Sequence, residues 1–309
     1  MIEILMAAYN GEVYIAQQIE SILRQTEQDW HLTVQDDCST DRTAEIVRGY
    51  QAAFPEKIVY RKNGINLGGA KYNFYEMLLS ADADYIMTCD QDDVWLPDKI
   101  EKTLAAMKDL ELQYGTGNPL LVHSDLMVVD SSLQVISGSM FLSQELDSSR
   151  NTFSELLVQN QVTGCTMMIN RALLKMFPER QPGNMIMHDW WAALIAAAFG
   201  AIGFVKEPTI QYRQHCENEV GAKNTKKLGY NLKRALKMAA ARKVLIDTYL
   251  QAGDFARVYR DQLTGAQLEL ACAYAGMGGY SKLKKWKTLR VYRLWKSSFK
   301  RRFGQMLFC

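Results

Sequence analysis

This sequence of 309 residues lacks the features of a protein that is stabilised by disulfides or zinc, and it lacks those of a membrane-spanning protein. Its six cysteines stand singly and form no CxxC pair, which excludes a zinc knuckle and a disulfide framework and indicates reduced thiols. The longest apolar run, residues 190–205, contains two glycines and is short for a membrane span. The first residues lack the basic and apolar regions of a signal peptide. We therefore expect a globular protein of the cytosol.

Two glycine-rich phosphate-binding loops are also missing. No GxGxxG follows the first predicted strand, and no GxxxxGKS/T occurs anywhere in the chain. These absences exclude a dinucleotide-binding protein of the usual kind and a P-loop enzyme. A phosphorylated ligand would therefore have to be held by a metal ion and by side chains.

Charge is distributed unevenly along the chain, although the net charge is only +2. From residue 223 onward there are 20 Lys and Arg against 4 Asp and Glu, whereas the preceding residues carry 16 against 30. This contrast predicts two regions, an acidic body at 1–221 and a basic carboxyl-terminal region at 222–309. Such a basic region favours an anionic surface, which could be a membrane, a polyanion or the acidic face of another subunit.

Hydrophobic periodicity predicts alternating strands and helices through the first third of the chain. Strands are predicted at 2–8, 30–35, 57–61 and 84–89, with helices at 13–25, 43–50 and 72–80. This alternation indicates βαβ units, a parallel sheet and the α/β class. Beyond it we predict strands at 120–129, 162–170, 202–205 and 209–212, an apolar helix at 190–199, and carboxyl-terminal helices at 226–251, 254–277 and 281–303.

Polar side chains collect where three of these strands end. Tyr9 and Asn10 follow the first strand, Asp36 and Asp37 follow the second, and the run from Asp90 to Asp93 follows the fourth. The carboxyl ends of parallel strands form the edge at which open α/β sheets bind ligands. Clustered carboxylates repel one another unless a cation meets them, so a Mg²⁺ or Mn²⁺ site that also holds phosphate oxygens is favoured. The alternative is a solvated acidic loop that caps the following helix.

Four segments carry a resemblance to a known family. The stretches AYNGEVYIAQQIESILRQT, VQDDCSTDRTAEIV, NLGGAKYNF and CDQDDVWLPDKI, with the later HDWW and YRQH, resemble family 2 glycosyltransferases of the GT-A fold. The resemblance covers about 1–221, and its QDDVW form is most similar to bacterial rhamnosyltransferases of surface-polysaccharide synthesis. It implies a Rossmann-like mixed sheet with flanking helices, followed here by an α-helical carboxyl-terminal region.

The resemblance also implies roles for individual residues in binding a nucleotide-sugar donor. Asp92 would ligate Mg²⁺ or Mn²⁺, Asp90 would contact the ribose or the metal, and Asp93 would contact the donor sugar. His215 matches a third metal ligand or a diphosphate contact, for which Arg213 is a further candidate. The remaining donor-binding positions are Ala8, Tyr9, Asn10, Asp37 or its neighbour Asp36, Asn66, Gly68 and Lys71.

On the acceptor side, Asp189 matches the catalytic base of the family. The residue before it is usually Glu and is His188 here, which leaves open what tunes Asp189. As an alternative, Asp189 could serve only as a cap of the apolar helix. Four residues are expected to face the acceptor, although the two tryptophans could instead be core: Gly164, Cys165, Trp190 and Trp191.

These roles imply an inverting transfer of a sugar from dTDP-rhamnose or a UDP-sugar to a glycan or lipid-linked acceptor. Two other functions stay open. A nucleotidyltransferase would use a similar sheet and metal, but it usually carries a basic, glycine-rich loop after the first strand, which AYNGEVY lacks. A non-catalytic nucleotide-sugar-binding protein would have no need of the base.

The carboxyl-terminal region contains a strongly basic segment with a helical apolar pattern. Residues 282–302 contain ten basic residues and no acidic residue. Helical spacing would place Leu289, Tyr292, Trp295, Phe299 and Phe303 on one face, as in an interfacial membrane helix. We therefore expect association with the inner face of the cell membrane. Nucleic-acid binding has no support in the body, and packing on the body or on a second subunit, as in a homo-oligomer, is the alternative.

Overall fold

A computed structural model describes residues 1–215 and 230–308. The amino-terminal part alternates strands and helices in the predicted order, with bounds that differ from the predicted ones by a few residues. Its elements are β1 (Ile2–Ala8), α1 (Ile15–Leu23), β2 (Trp30–Asp36), α2 (Thr43–Ala53), β3 (Ile58–Lys62), α3 (Ala70–Ser80), β4 (Tyr85–Asp90), β5 (Val94–Trp95) and α4 (Lys99–Tyr114).

The middle part adds longer strands and short helices. Its elements are β6 (Leu120–Val129), β7 (Val135–Ser137), α5 (Met140–Ser143), α6 (Phe153–Val158), a 3-10 turn (Gly164–Thr166), β8 (Met168–Asn170), α7 (Arg171–Leu174), α8 (His188–Phe199) and β9 (Ala201–Arg213). The carboxyl-terminal region is helical, as predicted, with α9 (Tyr230–Val258), α10 (Gly265–Ala275), a 3-10 turn (Gly276–Gly279), α11 (Lys282–Val291) and α12 (Phe299–Phe308).

The strands form one mixed sheet in the order β3-β2-β1-β4-β8-β6-β9-β5, with β7 beside β6. Strands β1 to β4 run parallel, and their register sets Ala8 opposite Asp36 and Ala7 opposite Asp90. Because β8 is antiparallel to both β4 and β6, and β9 is parallel to β6, strand β9 ends at the same edge as β4. The polar strand ends therefore converge on one edge.

Helices cover both faces of the sheet. Side chains alternate along a strand, so Ile4 and Met6 of β1 face the layer of α1, α2 and α4, whereas Leu5 faces the layer of α3, α6 and α8. All three side chains are buried, which makes β1 a central strand with a core on each side.

The long helix α9 differs from the prediction of two helices joined at Gly253. Its buried residues Tyr249, Ala252, Phe255 and Ala256 form one stripe at spacings of three and four, which continues across the glycine to Tyr259 just beyond the helix end. Burial of the stripe against α6 and α8 outweighs the cost of a glycine inside a helix, about 1 kcal/mol.

The prediction of one helix over 281–303 is also wrong, because the structure has two helices there, α11 and α12. The chain turns at Arg293, whose φ is 54°, and Leu294 enters the core with no exposed surface. Leu289 is likewise buried, but Phe299 and Phe303 on α12 are 84% and 61% exposed. The predicted face from Leu289 to Phe303 therefore does not exist as one surface.

Three of the four strand predictions beyond β5 differ from the structure. The segment 162–170 forms a 3-10 turn followed by the short strand β8, and 202–205 and 209–212 belong to one irregular strand, β9. The carboxyl-terminal helices share a core with α6 and α8. The predicted domain boundary after residue 221 lies outside the described residues. Within the described ranges, no helix is both long and apolar enough to cross a membrane.

Candidate active site

The carboxylate run lies where β4 ends at the convergent edge of the sheet. Asp90 and Asp92 are partly exposed, whereas Asp93 has no exposed surface. Burial raises the pKa of Asp93 well above its usual range, and the charges of Asp92 and Asp90 add to this effect. The expected contact of Asp93 with a donor sugar is therefore corrected, because its carboxylate faces the interior.

Arg213, at the end of β9, anchors this run. Its backbone N–H donates to Asp93 Oδ1 at 3.0 Å, and its Nε donates to the Asp92 carbonyl oxygen at 2.7 Å. Its other guanidinium nitrogens donate to the Ser131 carbonyl and to Gln17 Oε1, and the group lies over the ring of Tyr14. Arg213 is 2% exposed. Arg213 therefore holds the acidic loop in place through its bonds to Asp92 and Asp93.

His215 lies beside Asp92. Its Nε2 is 2.7 Å from Asp92 Oδ2, and its ring packs against Tyr14. Asp90 and Asp92 offer hard oxygen ligands, and His215 offers an imidazole nitrogen. These groups suit Mg²⁺ or Mn²⁺, whose neighbouring ligand atoms lie about 3 Å apart when the metal–ligand distance is about 2.1 Å. The pair of His215 and Asp92 therefore has the chemistry and spacing that suit a divalent cation, and Asp90 at the end of β4 offers a further carboxylate.

Asp90 also belongs to a grouping with two buried residues in the described part of the chain. Atoms of Asp90, Asp93 and Cys165 are all within 4.8 Å of one another. Cys165 and Asp93 are buried, and burial raises the pKa of the Cys165 thiol. A protonated thiol is a poor ligand for a hard cation. Cys165 thus packs against the carboxylates and does not face an acceptor, which corrects its expected role.

The end of β1 forms the adjacent wall of the site. Tyr9 is 51% exposed, and Asn10 adopts φ 48°, with its Oδ1 accepting a bond from the Thr40 N–H at 2.9 Å. Gln91, which the sequence argument passed over, fixes this turn to the carboxylate loop. Its Oε1 accepts the Tyr9 N–H at 3.0 Å, and its Nε2 donates to the Tyr9 carbonyl at 2.9 Å. A Cβ on Gly11 would lie 2.2 Å from Gln91 Oε1, so a larger residue there would displace the Gln91 amide.

Asp36 and Asp37 are both buried and bond to different segments of the chain. Asp36 is fully buried, with Oδ1 accepting the Ser39 N–H and Oδ2 accepting the Tyr60 hydroxyl. Burial and the Asp36 charge raise the pKa of Tyr60 to about 12. Asp36 is therefore a structural residue, which corrects its place among the donor-binding candidates. Asp37 Oδ1 instead accepts bonds from Asn63 Nδ2 and the Leu67 N–H, both at 2.7 Å.

The glycine-rich turn after β3 is organised by Asn66. Its Nδ2 donates to the Asp37 carbonyl, and its Oδ1 accepts the Gly68 N–H, both at 2.8 Å. Gly68 has φ 84°, a conformation that glycine adopts without strain. Farther along, Lys71 Nζ donates to the Met185 carbonyl at 3.4 Å. The structure thus places the predicted donor-side residues of this turn next to Asp37.

Asp189 lies in the first turn of α8 and is 8% exposed. Burial raises the pKa of Asp189 to about 6, although hydrogen bonds from the Trp190 and Gly164 backbones and from the Asn160 side chain oppose the shift. Thr88 of β4 donates to the Gly164 carbonyl at 2.6 Å, and the next residue, Cys165, contacts the carboxylate loop. The turn at Gly164 therefore connects Asp189 to the carboxylate edge.

His188 occupies the position where the resemblance leads us to expect Glu. Its ring stacks on Phe74 with centroids 4.2 Å apart, and neither ring nitrogen has a hydrogen-bond partner in the described part of the chain. Burial lowers its pKa to about 3, so the ring is neutral. A Cβ on Gly164 would lie 3.0 Å from His188 Nε2. His188 thus shapes the pocket of Asp189 without contributing a charge.

The two tryptophans after Asp189 belong to the core. Trp191 has no exposed surface, and its Nε1 donates to the Tyr259 hydroxyl at 3.1 Å. Trp190 is 9% exposed, and its Nε1 donates to the Leu156 carbonyl at 2.6 Å. The expected acceptor role is therefore wrong for Trp191, and Trp190 offers only a small edge to the surface.

Comparison with solved structures gives the same fold. The structure of S. aureus TarS 1–349 in complex with UDP-GlcNAc superposes with a TM-score of 0.56 at 16% identity, covering 94% of this chain and 80% of that one. The mannosyltransferase PcManGT from Pyrobaculum calidifontis, in complex with GDP-Man and Mn²⁺, has a TM-score of 0.53 at 16% identity, covering 99% and 86%. The predicted GT-A fold with a helical carboxyl-terminal region is confirmed.

Sequence comparison extends the likeness to named glycosyltransferases. The chain is 29% identical over 235 residues to dTDP-rhamnosyl transferase RfbG of Shigella flexneri, covering 73% of this chain and 76% of the relative. It is 28% identical over 178 residues to the Escherichia coli glucosyltransferase WfgD, covering 57% and 63%. The Glycosyl transferase family 2 model matches residues 3–175, more than half of the chain. The chain therefore belongs to glycosyltransferase family 2.

Proposed function

We propose that this protein is an inverting, divalent-metal-dependent glycosyltransferase of cell-surface polysaccharide synthesis. The observation that carries the proposal is the position of Asp189, a buried carboxylate with a raised pKa that the turn at Gly164 connects to Asp90 and Asp93. A base and a diphosphate-binding edge are the two components that such a transfer needs.

The donor is dTDP-rhamnose, with a UDP-sugar as the next choice. The likeness to RfbG, a dTDP-rhamnosyl transferase, supports the first, and the UDP-Glc named for WfgD supports the second. WfgD is also named for an acceptor on diphosphoundecaprenol, a lipid carrier. The acceptor of this protein is accordingly a glycan or a lipid-linked sugar, and the enzyme works in the cytoplasm at the inner face of the cell membrane.

Asp90, Asp92 and His215 would hold Mg²⁺ or Mn²⁺, in line with the Mn²⁺ in the PcManGT complex. When bound, the cation supplies positive charge that offsets the charge growing on the departing nucleoside diphosphate. Arg213 keeps the Asp92 backbone in place, and Gln91 fixes the Tyr9 turn against the same loop, so the chain orients the donor on a rigid edge.

Asp189 acts on the acceptor. A sugar hydroxyl is a weak nucleophile because its pKa is far above neutral, so Asp189 accepts its proton as the oxygen attacks the anomeric carbon. The raised pKa of Asp189, about 6, makes the carboxylate a stronger base than an exposed aspartate while it stays ionised at neutral pH. The bond to the nucleoside diphosphate breaks on the opposite face, and a single displacement inverts the configuration.

The test is a donor panel with the purified protein. With Mn²⁺ and an acceptor, we expect release of nucleoside diphosphate from dTDP-rhamnose in preference to UDP- and GDP-sugars. Asp189→Asn should abolish this release while dTDP still binds, because the substitution removes the base and leaves the donor edge intact. Full activity of Asp189→Asn, or release of pyrophosphate from a nucleoside triphosphate, would contradict the proposal.

A further inference from the structure

The helix α12 presents its apolar side to the surface. Phe299, Phe303, Met306 and Leu307 are 84%, 61%, 38% and 55% exposed. Their spacing of four, seven and eight residues from the first places them within an arc of about 100° on a helix of 3.6 residues per turn. A surface helix of a globular protein normally turns such a stripe toward the core. Here the stripe faces outward.

The opposite side of α12 fixes this orientation. Gln305 is 2% exposed, its Nε2 donates to the Leu294 carbonyl at 2.8 Å, and its Oε1 accepts the Lys296 N–H at 3.1 Å. Arg301 donates to Ser297 Oγ and to the Gln144 carbonyl, both at 3.0 Å. Polar side chains thus dock the helix on the body, and rotation of the apolar stripe inward would break these bonds.

Basic side chains flank the apolar stripe. Lys300 and Arg302 lie on its two sides around the helix, and both are exposed. Lys300 lies 3.6 Å from Glu145, and both of these side chains are exposed, so water screens the pair. Residues 282–308 contain no acidic residue. A positive border around an exposed apolar stripe is the pattern of a helix that rests in the headgroup region of an anionic bilayer.

The neighbouring helix α11 extends this surface. Trp286 is 44% exposed, and its Nε1 lies 3.4 Å from the Met306 carbonyl oxygen on α12. Tryptophan favours the membrane interface because its ring is apolar and its N–H is polar. The residues that surround it on α11 add positive charge: Lys282, Lys284, Lys285 and Lys287.

From this geometry we propose that α12, together with Trp286, docks on an anionic lipid surface with Phe299, Phe303, Met306 and Leu307 inserted among the headgroups. The inference rests on the proposed function at the membrane and specifies the surface that makes the contact. The surface replaces the face predicted from the sequence, of which only Phe299 and Phe303 remain. Charge complementarity selects anionic lipid as the occupant, because every charged residue of α11 and α12 is basic.

Vesicle flotation with the full-length protein tests the inference. We expect binding to vesicles of phosphatidylcholine mixed with phosphatidylglycerol, and little binding to phosphatidylcholine alone. Phe299→Ser with Phe303→Ser should weaken binding at least about tenfold, because two apolar side chains are lost from the inserted stripe. Lys300→Gln with Arg302→Gln should weaken binding to the anionic vesicles, and added salt should reduce the difference from wild type.

Matched controls use side chains outside this surface. Leu112→Ser removes an apolar residue that is 86% exposed on α4, and Lys206→Gln removes an exposed charge on β9. Neither should change binding, and the melting temperature of every variant should stay near that of wild type. Equal loss in the control variants would overturn the inference.

Two further results separate this inference from the proposed function. Absence of binding to anionic vesicles overturns the docking surface even if the protein transfers sugar to a water-soluble acceptor analogue. Vesicle binding without any sugar transfer supports the surface and counts against the proposed function. Light scattering that shows a dimer dissociated by Phe299→Ser with Phe303→Ser would assign the stripe to a second copy of the chain and overturn the lipid proposal.

Discussion

Asp254 on α9 holds the segment that leads to the proposed base. Its Oδ2 accepts the Asn184 backbone N–H at 2.8 Å and the Asn184 side-chain amide at 3.1 Å. One turn earlier on the helix, Gln251 Oε1 accepts the Ile186 N–H at 2.8 Å. The two residues held by these bonds, Asn184 and Ile186, precede Asp189 by five and three positions. The carboxyl-terminal region therefore contributes to the frame of the site as well as to the core.

We predict that Asp254→Ala lowers kcat for sugar transfer about tenfold with little change in the KM for donor. The loss of its bonds frees the segment before α8, and a small displacement of a base is costly in rate. Loss of these bonds to a charged carboxylate also destabilises the fold by about 1 to 3 kcal/mol. Steady-state kinetics and thermal melting measure both effects.

Asp254→Asn keeps a carbonyl oxygen as acceptor and should recover most of the activity. The control is Asp261→Ala, which removes an exposed carboxylate beyond the end of α9. If Asp254→Ala loses stability but retains its kcat at a temperature where it is folded, Asp254 is structural and does not position Asp189.

The pH dependence of transfer should report Asp189. Because the carboxyl must be deprotonated to accept a proton and burial raises its pKa to about 6, activity is full above this pH and falls below it. At about pH 5 we expect kcat/KM to be roughly a tenth of its plateau. A kcat/KM profile measured where circular dichroism shows the fold intact tests this, and a flat profile down to about pH 5 would exclude Asp189 as the titrating base.

Local patterns predicted the elements that build the edge of the site. Strand β1 and the ends of β2 and β4 followed from periodicity and from the polar residues that terminate them. The pattern did not predict which carboxylates are exposed to solvent. Asp36 is buried in contact with Tyr60, and Asp93 is buried in contact with Arg213, which is 120 residues away in the sequence. Such long-range partners depend on the folded chain and carry no local signal.

The carboxyl-terminal region shows the same limit. Apolar spacing predicted a continuous helix, but burial of Leu294 competes with helix continuity and turns the chain at Arg293. The sequence also did not predict the role of Gln91, because this residue acts through two hydrogen bonds to the Tyr9 backbone across the sheet edge. The local sequence from Asp90 to Asp93 gives no sign that the side chain of this glutamine has a bonding role.

We predict that Gly11→Ala weakens donor binding. The new methyl group would displace the Gln91 amide, since the two would be 2.2 Å apart, and both bonds to Tyr9 would be lost. We expect the KM for donor to rise about threefold to tenfold with kcat less affected. Gly49→Ala is the control, because its Cβ meets nothing within 4 Å and lies on the exposed side of α2.

Gly49→Ala should raise stability by about 0.5 to 1 kcal/mol and leave the kinetics unchanged. Gln91→Ala should reproduce the kinetic effect of Gly11→Ala. Normal donor KM in Gln91→Ala would show that the amide does not support the Tyr9 turn.

The pair of His215 and Asp92 should set the affinity for the divalent cation. Calorimetric titration of Mn²⁺ in the presence of dTDP measures this directly. We expect Asp92→Ala to abolish the metal dependence of dTDP binding, because it removes a charged oxygen ligand.

His215→Ala should weaken Mn²⁺ binding about tenfold to hundredfold, since one imidazole ligand is lost while both carboxylates stay. His31→Ala removes an exposed imidazole on β2 and should change nothing. If His215→Ala binds Mn²⁺ as tightly as wild type, the 2.7 Å contact between His215 and Asp92 only orients the carboxylate, and the cation is held without the histidine.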